Sequence, residues 1–149
     1  MRFIIFPRTQ PDSFHAKGDE PSCDPERGEF SEELFAAYMK YNEDMVKAGV
    51  LLASEGLNPQ AKPAQVGTSG GKRRVIDGPF AESKELVGGF YLIDVKSRDE
   101  AIEWALRCPV GLGHDVLEIR QLTAMEDLPP RLQELMRSSA PKYAEMWSR

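Results

Sequence analysis

The stretch "VGGFYLIDV", residues 87 to 95, constrains the fold more than any other part of the chain. Side chains alternate across a strand, so Val87, Tyr91, Ile93 and Val95 share one face and Phe90 and Leu92 the other. Both faces are apolar, and such a strand needs cover on both sides. A single layer of helices over one side of the sheet is not enough.

The patterns around this strand say what the layers are. "MRFIIF" reads as an opening strand. Residues 7 to 30 hold four prolines and two glycines, lack apolar periodicity, and read as a long loop. Ser31 offers a helix N-cap, with Glu32 and Glu33 in the first turn, where the helix dipole favours anions. Leu34, Tyr38, Tyr41 and Met45 then recur at helical spacing, with Phe35, Met39 and Val46 beside them, and Gly49 supplies the stop. "VLLASEGL" follows as a strand whose alternation places Leu51, Ala53, Glu55 and Leu57 on one face. "AQVGTS" and "KRRVID" flank Gly70-Gly71, a two-residue hairpin signal, and the two-faced strand runs from about Leu86 to Val95. Ser97 caps a second helix with Asp99 and Glu100 in its first turn; Ala101, Trp104, Ala105 and Cys108 line one side, with Ile102 and Leu106 adjacent, and Pro109 ends it. "DVLEIRQL" is the last strand, and "LPPRLQELM" with "PKYAEMW" forms a helical appendage.

This order predicts an α+β fold: a ferredoxin-like βαββαβ domain with an antiparallel sheet and both helices on one face, over residues 1–128, and a C-terminal helical tail at 129–149. Two helices cover one face of the sheet. The other face is expected to be covered by a second subunit, sheet against sheet, giving a homodimer with a cleft between the sheets.

A length of 149 residues suits one domain with a hydrophobic core. A net charge of −5 argues against binding a phosphate backbone, and Lys72-Arg73-Arg74 reads as a solvated strand end. Cys23 and Cys108 suggest neither a disulfide framework nor a zinc site, and only His15 and His114 could add ligands, so no metal and no cofactor are expected. No run approaches the length of a membrane span, and the expected setting is the cytoplasm.

The segments "DGPFAESKELVGGFYLIDV", "AIEWALRCP" and "LEIRQL" resemble the DGPF-type branch of the YCII-related family. The likeness begins at "MRFIIF", lapses from Pro7 to Phe30, resumes with "YNEDMVKAGVLLASEGLNP" and reaches about Leu128. It implies a dimeric ferredoxin-like subunit of the α/β-barrel type. Some relatives in the wider family look like small-molecule lyases with a His–Asp pair, but here His15 lies in the irregular loop and His114 just before the last strand, so that pair is not carried over. The resemblance also implies an association with sigma factors of the extracytoplasmic-function class.

Several residues are candidates for chemistry. Asp77 ends a hairpin strand at the Gly78-Pro79 corner, with Phe80 able to fold back on the sheet. It either holds the turn through backbone N–H groups or acts as an acid/base carboxylate at the cleft rim. Glu82, Lys84 and Glu85 are either a hydrophilic corner or, with Asp77, a convergent acidic cluster whose repulsion raises one pKa. Glu55, sharing a face with apolar side chains, either pairs with Arg74 or faces a pocket, and Tyr91 is placed at the cleft. Gly88 and Gly89 allow close packing of backbone or rings. "GTSGGKR" fails as a P-loop in spacing and in its missing Ser or Thr. Tyr38, Tyr41, Trp104 and Phe35 read as core. Two functions follow: a cofactor-independent lyase or isomerase acting on a small molecule in the dimer cleft, or a non-catalytic module that binds a ligand or a regulatory protein.

Overall fold

A computed structural model describes residues 1–8, 32–58, 61, 64–77, 89–109 and 116–147. Its elements are β1 (Arg2–Arg8), α1 (Glu32–Lys47), β2 (Leu51–Gly56), β3 (Ala64–Ser69), β4 (Lys72–Asp77), β5 (Gly89–Asp94), α2 (Arg98–Leu106), β6 (Val116–Gln121), a short 3-10 turn at Met125–Asp127, α3 (Pro130–Ser139) and α4 (Pro141–Trp147). β1 extends through Pro7 and Arg8, beyond the expected end of the opening strand; the rest of that loop lies outside the described residues.

Four strands form one sheet in the order β2-β5-β1-β6, with every neighbouring pair antiparallel. Counting only these strands, the order is that of a ferredoxin-like domain, in which each helix connects two strands that flank a third. β3 and β4 form a separate two-stranded ribbon inserted between β2 and β5. Its turn is Gly70-Gly71, with φ of 59° and 74°. A tight hairpin that follows the natural twist of its strands needs positive φ at both central residues, which glycine adopts without strain.

Register shows which side chains share a face. Phe3 lies opposite Ile93, and Ile5 opposite both Tyr91 and Ile119. This side meets the helices: Phe3, Ile5, Ile93 and Val95 pack with Tyr41 and Met45 of α1 and with Ala101, Trp104, Ala105 and Cys108 around α2. Burying such side chains stabilises by about 1.5–3 kcal/mol each before entropy is counted. The two helices are also joined directly. The Tyr41 hydroxyl donates to the Trp104 carbonyl at 2.9 Å, Arg107 reaches Asp44 at 3.3 Å, and its guanidinium lies 4.1 Å from the Trp104 ring centre. Phe35 departs from the core reading, being 52% exposed.

The helix ends follow from their sequences. The Ser97 hydroxyl accepts from the Glu100 N–H at 3.1 Å, as its place before α2 predicts. After α1, the N–H of Val50 reaches the carbonyl of Met45 and that of Gly49 the carbonyl of Val46, the paired bonds of a Schellman stop. The tail is helical as expected: α3 starts with Pro130 in its first turn, where the missing N–H costs nothing. α3 and α4 pack chiefly on each other. No described helix is long and apolar enough to cross a membrane.

Candidate functional site

The face of the sheet turned away from α1 and α2 carries the even-numbered positions of β1, β5 and β6. Ile4 lies between Leu92 on β5 and Arg120 on β6, Leu92 lies opposite Ala53 on β2, and Phe6 lies opposite Glu118. Ile4, Phe6, Ala53, Phe90 and Leu92 are half-buried there. The expectation that β5 is apolar on both sides is therefore met, with Tyr91 and Ile93 inward and Phe90 and Leu92 on this open face.

Strict alternation in β2 fails at one point. Leu51 pairs with Ile93, but Ala53 pairs with Leu92, so an irregularity between them shifts the register. A bulge places an extra residue on one strand and flips the faces that follow. Leu51 consequently packs into the helix-side core, while Ala53 and Glu55 stand on the open face. Glu55 does not share a face with Leu51 as alternation alone predicts. It lies opposite Phe90, is exposed, and makes no ion pair among the described residues.

The anticipated pairing of Glu55 with Arg74 is not made. β4 pairs with β3 alone, so Arg74 belongs to the ribbon rather than to a strand beside β2, and it is exposed without an ion pair among the described residues. Asp77 is the last residue of β4, paired with Ala64 of β3. Gly78, Pro79, Phe80, Glu82, Lys84 and Glu85 lie outside the described residues, as do Gly88, His15, His114 and Cys23.

Tyr91 points to the helix side, away from the open face on which a cleft was expected. Its ring meets that of Tyr41 edge-on, with centres 5.5 Å apart. Burial is the main reason the phenols of Tyr38, Tyr41 and Tyr91 titrate above their ordinary value. Burial likewise pushes the Cys108 thiol up to about 11. A thiol held neutral in this way is a poor nucleophile at physiological pH. Tyr41 and Cys108 belong to the packed core, with Tyr91 against it.

Gly89 explains one of the two adjacent glycines. A Cβ built there would stand 2.6 Å from the Glu55 carbonyl oxygen, so only glycine lets β2 approach β5 beside Glu55. Sequence reasoning passed over Glu118. Its side chain is only 18% exposed, on the open face, and ion-paired with Arg120. The alternation of Leu117 and Ile119 with Glu118 and Arg120 carried that signal. Glu55 and Glu118 sit on the two edge strands, three inter-strand spacings or roughly 14 Å apart, too far to share a proton. Within one copy the two carboxylates therefore do not form a pair. Among the described residues no three His, Cys, Asp or Glu side chains converge as a metal site requires.

The split arrangement of the sheet, with helices on one side and an apolar, carboxylate-edged face on the other, defines a ferredoxin-like α+β domain. The family model of the YCII-related domain matches residues 1–126, and the chain belongs to that family. It is similar to an uncharacterized protein of Rhizobium meliloti (strain 1021), 45% identical over 73 residues that make up 49% of this chain and 56% of the relative. The chain thus spans little more than half the length of that relative.

Proposed function

We propose that two copies lay their open faces together and that the chamber between them hosts proton-transfer chemistry on a small, partly apolar molecule, as a cofactor-independent lyase or isomerase. One observation carries this reading: Glu55 is an exposed carboxylate without an ion pair among the described residues, on an apolar sheet face. A carboxylate in such a place takes a proton from carbon next to a carbonyl and returns it to a neighbouring atom. A cation from the ribbon, or Lys84 from the corner, offsets the charge that develops on the substrate oxygen. Asp77 at the ribbon's end is the second candidate carboxylate.

A thermal-shift screen with small carboxylic acids, phenols and lactones tests this. A ligand at a hundred times its Kd stabilises by about 2.7 kcal/mol, roughly a 5–10 °C rise in midpoint. That rise is expected for the native chain and is expected to vanish in Glu55→Gln. A rise that survives both Glu55→Gln and Asp77→Asn places the ligand elsewhere and refutes the reading.

A second reading draws on the tail. Leu132 and Leu135 of α3 remain 45% and 56% exposed, an apolar edge suited to docking a regulatory protein, a sigma factor being the class that the family resemblance implies. Under this reading no small ligand stabilises the chain, and deleting residues 129–149 abolishes capture of the partner.

A further inference from the structure

We infer that the β3–β4 ribbon is an arm that clasps a second copy of the chain and delivers Arg73 to that copy's Glu55. The inference rests on the face-to-face dimer proposed above.

Register places Val66 opposite Val75 and Thr68 opposite Arg73, so these four residues share one face of the ribbon. The valine pair is the apolar centre of that face, yet Val66 is 59% and Val75 is 68% exposed. The two strands pair extensively with each other and make no comparably extensive contact with another described element. A two-stranded ribbon by itself is marginal in water and needs a further layer on its apolar side. Nothing in the described parts of the same chain supplies that layer.

Charge indicates what does. Arg73 stands beside the valines, exposed and without an ion pair among the described residues, in a chain whose net charge is −5. Glu55 is the complementary group: a carboxylate on an edge strand, beside Phe90, Ala53 and Leu92, with no ion-pair cation among the described residues. The two do not pair within one subunit, so the match is made between copies. Arg74 and Lys72 point from the opposite ribbon face and are excluded by the same register. The planar guanidinium of arginine suits bidentate binding of a carboxylate at a partly desolvated interface. A two-fold axis makes the contact reciprocal, so each chamber is completed by the other copy's arm. The consequence for the site is one of position: Arg73 of the second copy fixes the Glu55 side chain at the rim of the chamber.

Sedimentation equilibrium on the full-length chain tests the arm, with circular dichroism confirming that each exposed-residue variant is folded. Val75→Asp, Arg73→Glu and Glu55→Arg are each expected to raise the dimer Kd about tenfold or more. The combined Arg73→Glu/Glu55→Arg exchange is expected to bring it back to within about threefold of the native value. Weakening by both single reversals without recovery in the exchange overturns the contact. Unchanged Kd in all arm variants, while Leu92→Asp gives monomers, overturns the arm and leaves the face-to-face dimer standing. A native chain that is monomeric throughout removes both.

Discussion

At the level of single residues, the clearest constraint is the space around Gly89. Its missing side chain lets the Glu55 carbonyl approach, and no rotamer relieves a clash between a Cβ and backbone oxygen. Gly89→Ala is expected to cost about 1–3 kcal/mol in urea unfolding. Gly56→Ala is the control: nothing lies within 4 Å of a Cβ there, so its cost should be far smaller. A second prediction concerns pH. Cys108 and the three phenols all hold their protons more tightly when folded than their ordinary values of 9.0 and 10.0 allow. Above those values the unfolded chain ionises first, so the folded state binds more protons and stability falls as pH rises. The contribution of Cys108 is intact below pH 9.0 and is lost as pH climbs through about 11, with the tyrosines extending the decline further. Urea midpoints measured along an alkaline series should show this fall, and a flat profile would mean these groups are not buried.

At the level of elements, helices and turns follow their signals because the signals are local. Ser97 accepts the Glu100 N–H, Gly70-Gly71 makes the hairpin, and the glycine after α1 closes it. What the sequence hid was registration between strands. The irregularity in β2 depends on how it meets β5, and no reading of "VLLASEGL" in isolation reveals that Leu51 and Ala53 take opposite sides. The Glu55–Arg74 pairing failed for a similar reason: the ribbon is a sheet of its own, a matter of partners rather than of propensity. Exposed and buried members of the helices should differ accordingly. Met45→Ala removes a side chain with no exposure and should cost about 2–5 kcal/mol, while Leu106→Ala, at 80% exposure, should stay within about 0.5 kcal/mol. For the ribbon, changing Gly70 and Gly71 together to alanine should cost about 1–2 kcal/mol per residue. Loss of amide protection should be confined to β3 and β4, with β1 and β5 unchanged by hydrogen exchange; a loss spread over all six strands would contradict the ribbon's independence.

At the level of the whole molecule, one side of the sheet is fully used and the other is not. α1 and α2 bury Phe3, Ile5 and Ile93 almost completely, whereas Ile4, Phe6, Phe90 and Leu92 on the reverse side are only half-buried. Among the described elements, the tail helices pack mainly on each other. Under the reading proposed above, a second copy covers this apolar face, and the chamber between the copies holds the candidate carboxylates. The most direct test is the solution mass of the full-length chain by light scattering, across a wide concentration range. Two copies give twice 16.7 kDa for the native chain and 16.7 kDa for a folded Leu92→Asp variant. A native chain that stays at 16.7 kDa at every concentration contradicts the shielded face on which the proposed chemistry depends.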